Sequence, residues 1–494
     1  GYWTMDDEEY DLREQIFHNN VREQIIFLLL FILLYLFSFM VIEKYRRRDS
    51  EDYNSADEEE VKVYRISLWL CTFAVAVSLG SALLLPFSIV SNEVLILYPN
   101  SYYVKWLNSS LVQGLWNHVF LFSNLSLFVF LPFAYLFSES SGFAGCRGLR
   151  GRVYETFIVL ALLGVLMLGL VYVISAWLEG DRSSIDALLS EYLNLWTYLP
   201  FLYSCVSFVG VLMLLVFTPL GFVRLFGVVG GVLVKPQFLR DLNEEYYVYS
   251  FEEETIRRRI GNAVATGECG DYRYTDHITQ VNDSLYELLI DSSQVESQRK
   301  TSPLQRNVVY PLAMLLLLAL TAITVLMVLQ NTLELLIGIK ALPLSTRQFT
   351  LGIASLSKLG LAGAALEAFL ILYLHCASLT GLGAPMAALK VLPRKRRTPL
   401  ARLIALAAVL LAHSTAQPLL VKILGITNFD LLGEFGRIEW LGNFRLVLLY
   451  NAIFAATVTL CLASKFTASV RRELYNRLVE NVNTVAHCVS FLNN

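Results

Sequence analysis

Nine times along this chain an apolar run appears that is long enough to cross a bilayer, at roughly residues 24–42, 66–90, 115–137, 153–178, 198–220, 308–337, 351–380, 400–424 and 446–464. A hydrocarbon core of about 30 Å takes about 20 helical residues per crossing. Inside it every backbone N–H and C=O must find a partner within the protein, which leaves the α-helix as the form such isolated runs can take. With 55% hydrophobic and only 16% charged residues over 494 positions, and mean hydropathy of +0.53, a soluble globular class is excluded. The expected fold is all-α: a polytopic membrane protein of nine transmembrane helices. Its expected regions are 1–234 with spans one to five, a cytosolic helical insert at 235–307, 308–464 with spans six to nine, and a cytosolic tail at 465–494. The first run is read as a retained helix, because it is too long for a signal peptide, follows an acidic segment and lacks a small-residue cleavage site.

Loop charge gives the orientation. Of the 39 lysines and arginines, 28 fall in the loops after spans one, three, five, seven and nine, and 8 on the opposite side. The positive-inside rule then puts the N-terminus outside and the C-terminus in the cytosol. In this layout Pro86 falls in the last outer turn or two of span two, where a missing amide donor costs less than at mid-helix. The alternative is a break inside the span that lines a cavity.

All seven cysteines fall in spans or cytosolic segments, so no outer disulfide framework is expected. Cys146, in GFAGCRGLRGR at the inner interface, is a palmitoylation candidate beside the plain reading of a free thiol. The outer segments carry the sequon Asn108-Ser109-Ser110, a glycosylation candidate, while the matching pattern at Asn124 lies within span three. Trp106, Trp116, Trp177, Trp196 and Trp440 map to outer ends and only Trp69 to the inner side. That bias reads as an aromatic belt at headgroup level, or as rigid contact area for a protein partner. The last outer segment, TNFDLLGEFGRIEWLGNF (427–444), interleaves Phe435, Trp440 and other apolar residues with charges, which predicts an interfacial or re-entrant helix.

Ionisable groups inside spans are functional candidates because hydrocarbon penalises charge. Glu367 lies near the middle of span seven, with Lys358 to one side and His375 to the other, and His413 lies near mid-depth in span eight. Glu367 should face the bundle interior, an aqueous cavity or a partner such as His413, either as a polar ligand contact or proton site or as a neutral, hydrogen-bonded carboxyl. Lys358 is expected to snorkel outward. The stacks Gly360, Ala364, Ala368 and Ala408, Ala412, Ala416 predict close helix contacts, within the chain or across a homodimer.

In the insert, Ile278, Val281, Leu285 and Leu288 recur at helical spacing, LRDLNEEYYVYSFEEETIRRRI also reads helical, and GNAVATGECGD separates the two. A helical hairpin follows. Tyr286-x-x-Leu289 and Tyr475-x-x-Leu478 fit the tyrosine-x-x-bulky pattern of endocytic adaptors, which bind extended peptide; the tail pair Tyr475 and Leu478 is the sorting candidate. No metalloprotease, nucleophile-elbow or phosphate-loop motif is present, so neither enzymatic activity nor a cofactor is expected. The basic residues follow the membrane face, where anionic lipid, not nucleic acid, is the nearer partner.

The strings LCTFAVAVSLGSALLLPFSIVSNEVL (70–95), LNSSLVQGLWNHVFLFSNLSLFVFLPFAYLFSESSGFAG (107–145), GRVYET (151–156), LVKP (233–236) and NFDLLGEFGRIEWLGNF (428–444) resemble the limb-region-1-like membrane protein family over nearly the whole chain. The resemblance implies a plasma-membrane receptor in endocytosis or developmental signalling, with lipocalin-type carriers of lipophilic compounds as a ligand class. Glu367, His413, Lys358, Phe435, Trp440 and Trp106 are the candidate ligand contacts. The alternatives are a transporter or lipid-handling protein for a lipophilic small molecule, and a membrane scaffold; an endomembrane location is the alternative to the cell surface.

Overall fold

The computed structural model describes residues 3–47, 58–140, 148–179, 195–233, 241–265, 272–300, 302, 304–338, 360–427, 429, 431 and 444–492. Among them the structure is helical throughout, apart from turns and one isolated backbone bridge between Arg46 and Thr398. The helices are α1 (Trp3–Tyr45), α2 (Glu58–Leu97), α3 (Tyr102–Trp106), α4 (Gln113–Leu125), α5 (Leu131–Glu139), α6 (Leu149–Glu179), α7 (Leu195–Val232), α8 (Leu242–Ala265), α9 (Tyr272–Arg299), α10 (Tyr310–Ile337), α11 (Leu361–Ala388), α12 (Leu400–Ile423) and α13 (Phe444–Leu492). Eight stretches among the described residues are long and apolar enough to cross a membrane. The fourth expected run is covered by α6, a continuous helix of 31 residues.

The chain divides into two compact units, Gly1–Phe222 with Thr324–Asn494, and Val223–Ile323. In the first, α2 is the axis: it packs against α1, α4, α5, α11 and α12, and α12 in turn meets α5, α11 and α13. The core at one end of α2 joins Ile42, Leu68, Cys71, Ala74, Leu131, Leu403 and Leu411. The helices approach closely where the sequence supplies small residues. A Cβ on Gly210 of α7 would stand 2.7 Å from the Ala416 Cβ, and the backbones of α7 and α11 touch at Gly221 and Gly381, where a Cβ would collide with the carbonyls of Ala377 and Phe217. The Ala412–Ala416 face of the expected small-residue stack is thus used within the chain. Loss of one Cβ lets two helix backbones into van der Waals contact, the packing that replaces the hydrophobic effect in lipid.

Several expectations are corrected. Pro86 is not at the outer end of its helix: α2 continues to Leu97, about three turns further. It is not a break either: α2 is helical without interruption from Glu58 through Pro86 to Leu97. The expected outer loop at 91–114 is mostly helical: residues 98–101 separate α2 from α3, and Leu107–Val112 forms a π-helical turn leading into α4. Asn108 therefore sits half-buried in a helix, not in the exposed loop that a glycosylation acceptor favours. A second π turn, Ser126–Phe130, precedes Pro132 at the start of α5; the wider turn makes room for a ring that would clash with a carbonyl of a regular helix. The tail beyond span nine is not a separate segment: α13 runs on for 49 residues in all, so the backbone at Tyr475 and Leu478 is helical where adaptor recognition needs it extended.

In the second unit α8 and α9 pack side by side as a helical hairpin. The helix reaches Ala265, so the first part of the expected linker GNAVATGECGD is helical. Its buried anchors are Leu242 and Val295, and the Arg299 guanidinium lies 4.8 Å over the Tyr246 ring.

Candidate functional site

Two sets of polar and aromatic residues stand out at the end of the bundle that holds the α2–α3 turn. The first lies on its surface. Because α1 is helical from Trp3, its residues before the first apolar run continue alongside α3. Glu23 Oε1 accepts a hydrogen bond from the Trp106 indole at 3.1 Å, and the Arg22 guanidinium covers the same ring at 4.3 Å. Arg22 also donates to Asn19 at 2.6 Å, and Asn19 to the Tyr102 hydroxyl at 3.4 Å. One turn deeper, Phe27 packs on His118 with ring centroids 4.0 Å apart. On this frame Tyr98, Tyr102 and Tyr103 are exposed, Tyr103 by 71%. A cation over the ring and a carboxylate on its N–H hold Trp106 in one orientation, so the tyrosines stand on a fixed ledge.

The second set is internal. Glu367 is buried in the second turn of α11, not mid-span, and its side chain is hydrogen-bonded to Thr427; Glu93 of α2 is close enough to act on it electrostatically. The pairing with His413 does not form. His413 instead has the His375 ring against it, centroids 4.5 Å apart, and its Nε2 lies 3.2 Å from Gln417 Nε2. The His413 Nδ1 and Gln417 Oε1 atoms are enclosed without a protein partner. The register of the neighbours is set by Ser78, whose hydroxyl donates to the Leu410 carbonyl at 3.0 Å, and by Ser207 of α7, which donates to the Thr415 carbonyl at 2.6 Å. Pro86 and Pro418 each lie eight residues beyond that Ser78–Leu410 contact on their own helices.

Other buried groups that the sequence reading passed over hold the bundle. Asn331 of α10 donates to Asn451 Oδ1 of α13 at 2.9 Å, and both amides donate to the Ile423 carbonyl at the end of α12, at 3.2 and 2.8 Å. A lone Asn in an apolar run was the available signal. Trp116, expected at the headgroup belt, is fully buried and donates to the Ser88 hydroxyl at 2.8 Å. Trp69 is half exposed. Lys358, Phe435, Trp440 and Cys146 lie outside the described residues, as does the side-chain placement of Tyr475 and Leu478.

An all-helical chain with eight bilayer-length helices among its described residues and polar groups buried between them is a multi-pass membrane protein. The chain belongs to the LMBR1-like membrane protein family, whose model matches residues 23–289 and 269–466. It is 54% identical to Protein Lilipod of Drosophila melanogaster, over 99% of this chain and all of that protein. It is 48% identical to Protein LMBR1L of Xenopus laevis, over 94% of this chain and 95% of that one. With the Limb region 1 protein homolog of Homo sapiens it shares 46% identity, over 95% and 94% of the two chains. No solved structure matches.

Proposed function

We propose that this chain is a nine-span cell-surface receptor for lipocalin-type lipid carriers, acting in ligand uptake or developmental signalling and not as an enzyme, with its N-terminus outside and its C-terminus in the cytosol. One observation carries the reading: the ledge of Tyr98, Tyr102 and Tyr103, held by the Trp106–Glu23–Arg22 contacts. Tyrosines of low conformational entropy on a rigid frame suit recognition of a protein surface, and the loop-charge count supports putting this end outside. The apolar segment with Phe435 and Trp440 is the second candidate contact.

The test is binding of purified lipocalin-type carriers to the full chain in nanodiscs, with Tyr103→Ala and Trp106→Ala set against Trp69→Ala at the other end. A carrier that binds the parent should lose about tenfold in affinity with either ledge variant and nothing with the control. If no carrier binds, or the ledge variants bind as the parent does, the reading is wrong.

A second reading, a lipid-handling protein for a lipophilic molecule, is favoured by the enclosed His413 Nδ1 and Gln417 Oε1 near Pro418. Unpaired polar atoms between spans suit the head of an amphipathic guest. Copurified lipophile, lost on Gln417→Leu and kept on Trp106→Ala, would select it. Adaptor binding through Tyr475 and Leu478 requires the C-terminal part of α13 to unwind, and a homodimer requires a face other than Ala412–Ala416.

A further inference from the structure

At the opposite end of the bundle, the run Arg394-Lys395-Arg396-Arg397 is not a loose charged loop. Its backbone is tied to the end of α1: the Arg47 N–H donates to the Thr398 carbonyl at 3.1 Å, the Thr398 N–H to the Tyr45 carbonyl at 3.2 Å, and the Arg396 N–H to the Lys44 carbonyl at 3.3 Å. The buried Thr398 hydroxyl closes the loop on itself, donating to the Arg394 carbonyl at 2.8 Å and accepting from the Arg394 N–H at 3.0 Å. Arg396 is held at φ 56°, in the left-handed region, a conformation that costs an L-residue free energy and that glycine adopts freely. The chain keeps a long cation there. All four side chains of the run are exposed, and the tie brings them beside exposed Lys44 and Arg47.

The place of this platform decides what it meets. It joins the last turn of α1 to the first of α12, and the adjacent residues Ile42, Leu403 and Ile404 are already in the apolar core, so the cations stand where two spans leave the bilayer. Several cations held close together on a fixed backbone make a local positive potential that attracts anions. At a membrane boundary the available anions are lipid phosphates, and clustered juxtamembrane cations bind polyanionic headgroups.

We infer that the loop Arg394–Thr398, tied to the end of α1, is a built site for the phosphorylated headgroup of an anionic membrane lipid of the phosphoinositide class. Arginine forks take phosphate oxygens in pairs, and Lys44 and Lys395 add point charges. The site is independent of the outer ledge and of what binds there.

The full chain is reconstituted in phosphatidylcholine nanodiscs containing a small fraction of phosphatidylinositol bisphosphate, and the lipid retained by the protein is measured by mass spectrometry. The expected result is enrichment of the bisphosphate lipid over the bulk mixture. It should fall about fivefold or more when the run is replaced together as Arg394→Gln, Lys395→Gln, Arg396→Gln and Arg397→Gln. Thr398→Ala keeps every charge and removes the closing hydroxyl; it should lower the enrichment as well, which distinguishes a built site from charge density and guards against a misfolded multiple variant. No enrichment by the parent overturns the inference, and so does full retention by Thr398→Ala. Binding of soluble inositol trisphosphate to the detergent-solubilised protein, as tight as that of the lipid, would overturn the choice of a membrane lipid.

Discussion

The seam where α2, α7, α11 and α12 meet and the hairpin of α8 and α9 follow opposite rules of sequence. Within the seam the most buried window, 67% in α12, holds Ala, Ser, Thr, His and Gln, whereas the window of α1, the most apolar of the eight, is only 11% buried. The hairpin buries Leu242 and Val295 and turns the pairs Glu253–Arg257, Glu254–Arg258 and Glu296–Lys300 outward. Solvent accounts for the difference. In lipid an exposed leucine loses nothing, so small residues and hydrogen bonds decide which faces meet; in water the apolar residues go inside and charges cover the rest.

That contrast is broken most sharply at the helix crossings. Gly221→Leu or Gly381→Leu would drive a side chain into the opposing backbone, and the expected loss exceeds about 4 kcal/mol, the range of severe overpacking. Gly164→Leu on α6, with nothing within 4 Å of its added Cβ, should leave stability within about 0.5 kcal/mol. Thermal unfolding of the detergent-solubilised chain, followed by size exclusion, separates the two outcomes. Equal behaviour would mean that small residues do not set the packing of the seam.

Next in size is the knot of Asn331, Asn451 and the Ile423 carbonyl. Asn451→Ala removes donors to Ile423 and Val447 and the acceptor of Asn331, and should cost about 1 to 2 kcal/mol, near the upper end for interhelical hydrogen bonds in membranes. Asn331→Ala should cost less, and the double variant should cost less than the two separately because they share one network. Full additivity would show that the amides act independently. A smaller effect is expected from Trp116→Phe, which keeps the packing and deletes the bond to Ser88: about 0.6 kcal/mol.

Helix positions and the all-α class were legible because length and apolarity suffice to mark a span. Facing was not. Trp116 was expected at the headgroup belt, and it lies inside because a position along the helix axis says nothing about rotation around it. The Glu367–His413 pairing failed for the same reason: both residues are buried, yet Thr427 takes the carboxyl and His375 faces His413. Asn331 and Asn451 are separated by 120 positions, and their meeting depends on how α10, α12 and α13 come together. Pro86 carried an ambiguous signal, since proline ends helices in water but is absorbed within a span where neighbouring groups satisfy the backbone. The loop 394–397 was read as charge alone; its tie to α1 runs through backbone atoms that carry no residue-type signal.

The smallest effect belongs to the hairpin and tests the aqueous half of the comparison. Glu296 donates no proton at neutral pH and accepts from Lys300 at 2.9 Å; that hydrogen bond and the Lys300 charge, with Arg299 adding to them, hold its carboxyl below the usual carboxylate range. A carboxyl whose folded pKa lies below its unfolded one stabilises the fold above the unfolded value, and the contribution is lost as pH falls through the folded value. Both side chains are well exposed, so solvent screening keeps the effect small and makes it fade with added salt. Amide hydrogen exchange in the last turns of α9, measured on the full chain, should therefore quicken slightly on acidification at low salt beyond the intrinsic pH dependence. Glu296→Gln should remove that extra acid response, and Lys300→Met should do the same. An unchanged response in both variants would assign the acid sensitivity of these turns to other groups and leave the ion pairs of the hairpin as surface decoration without energetic weight.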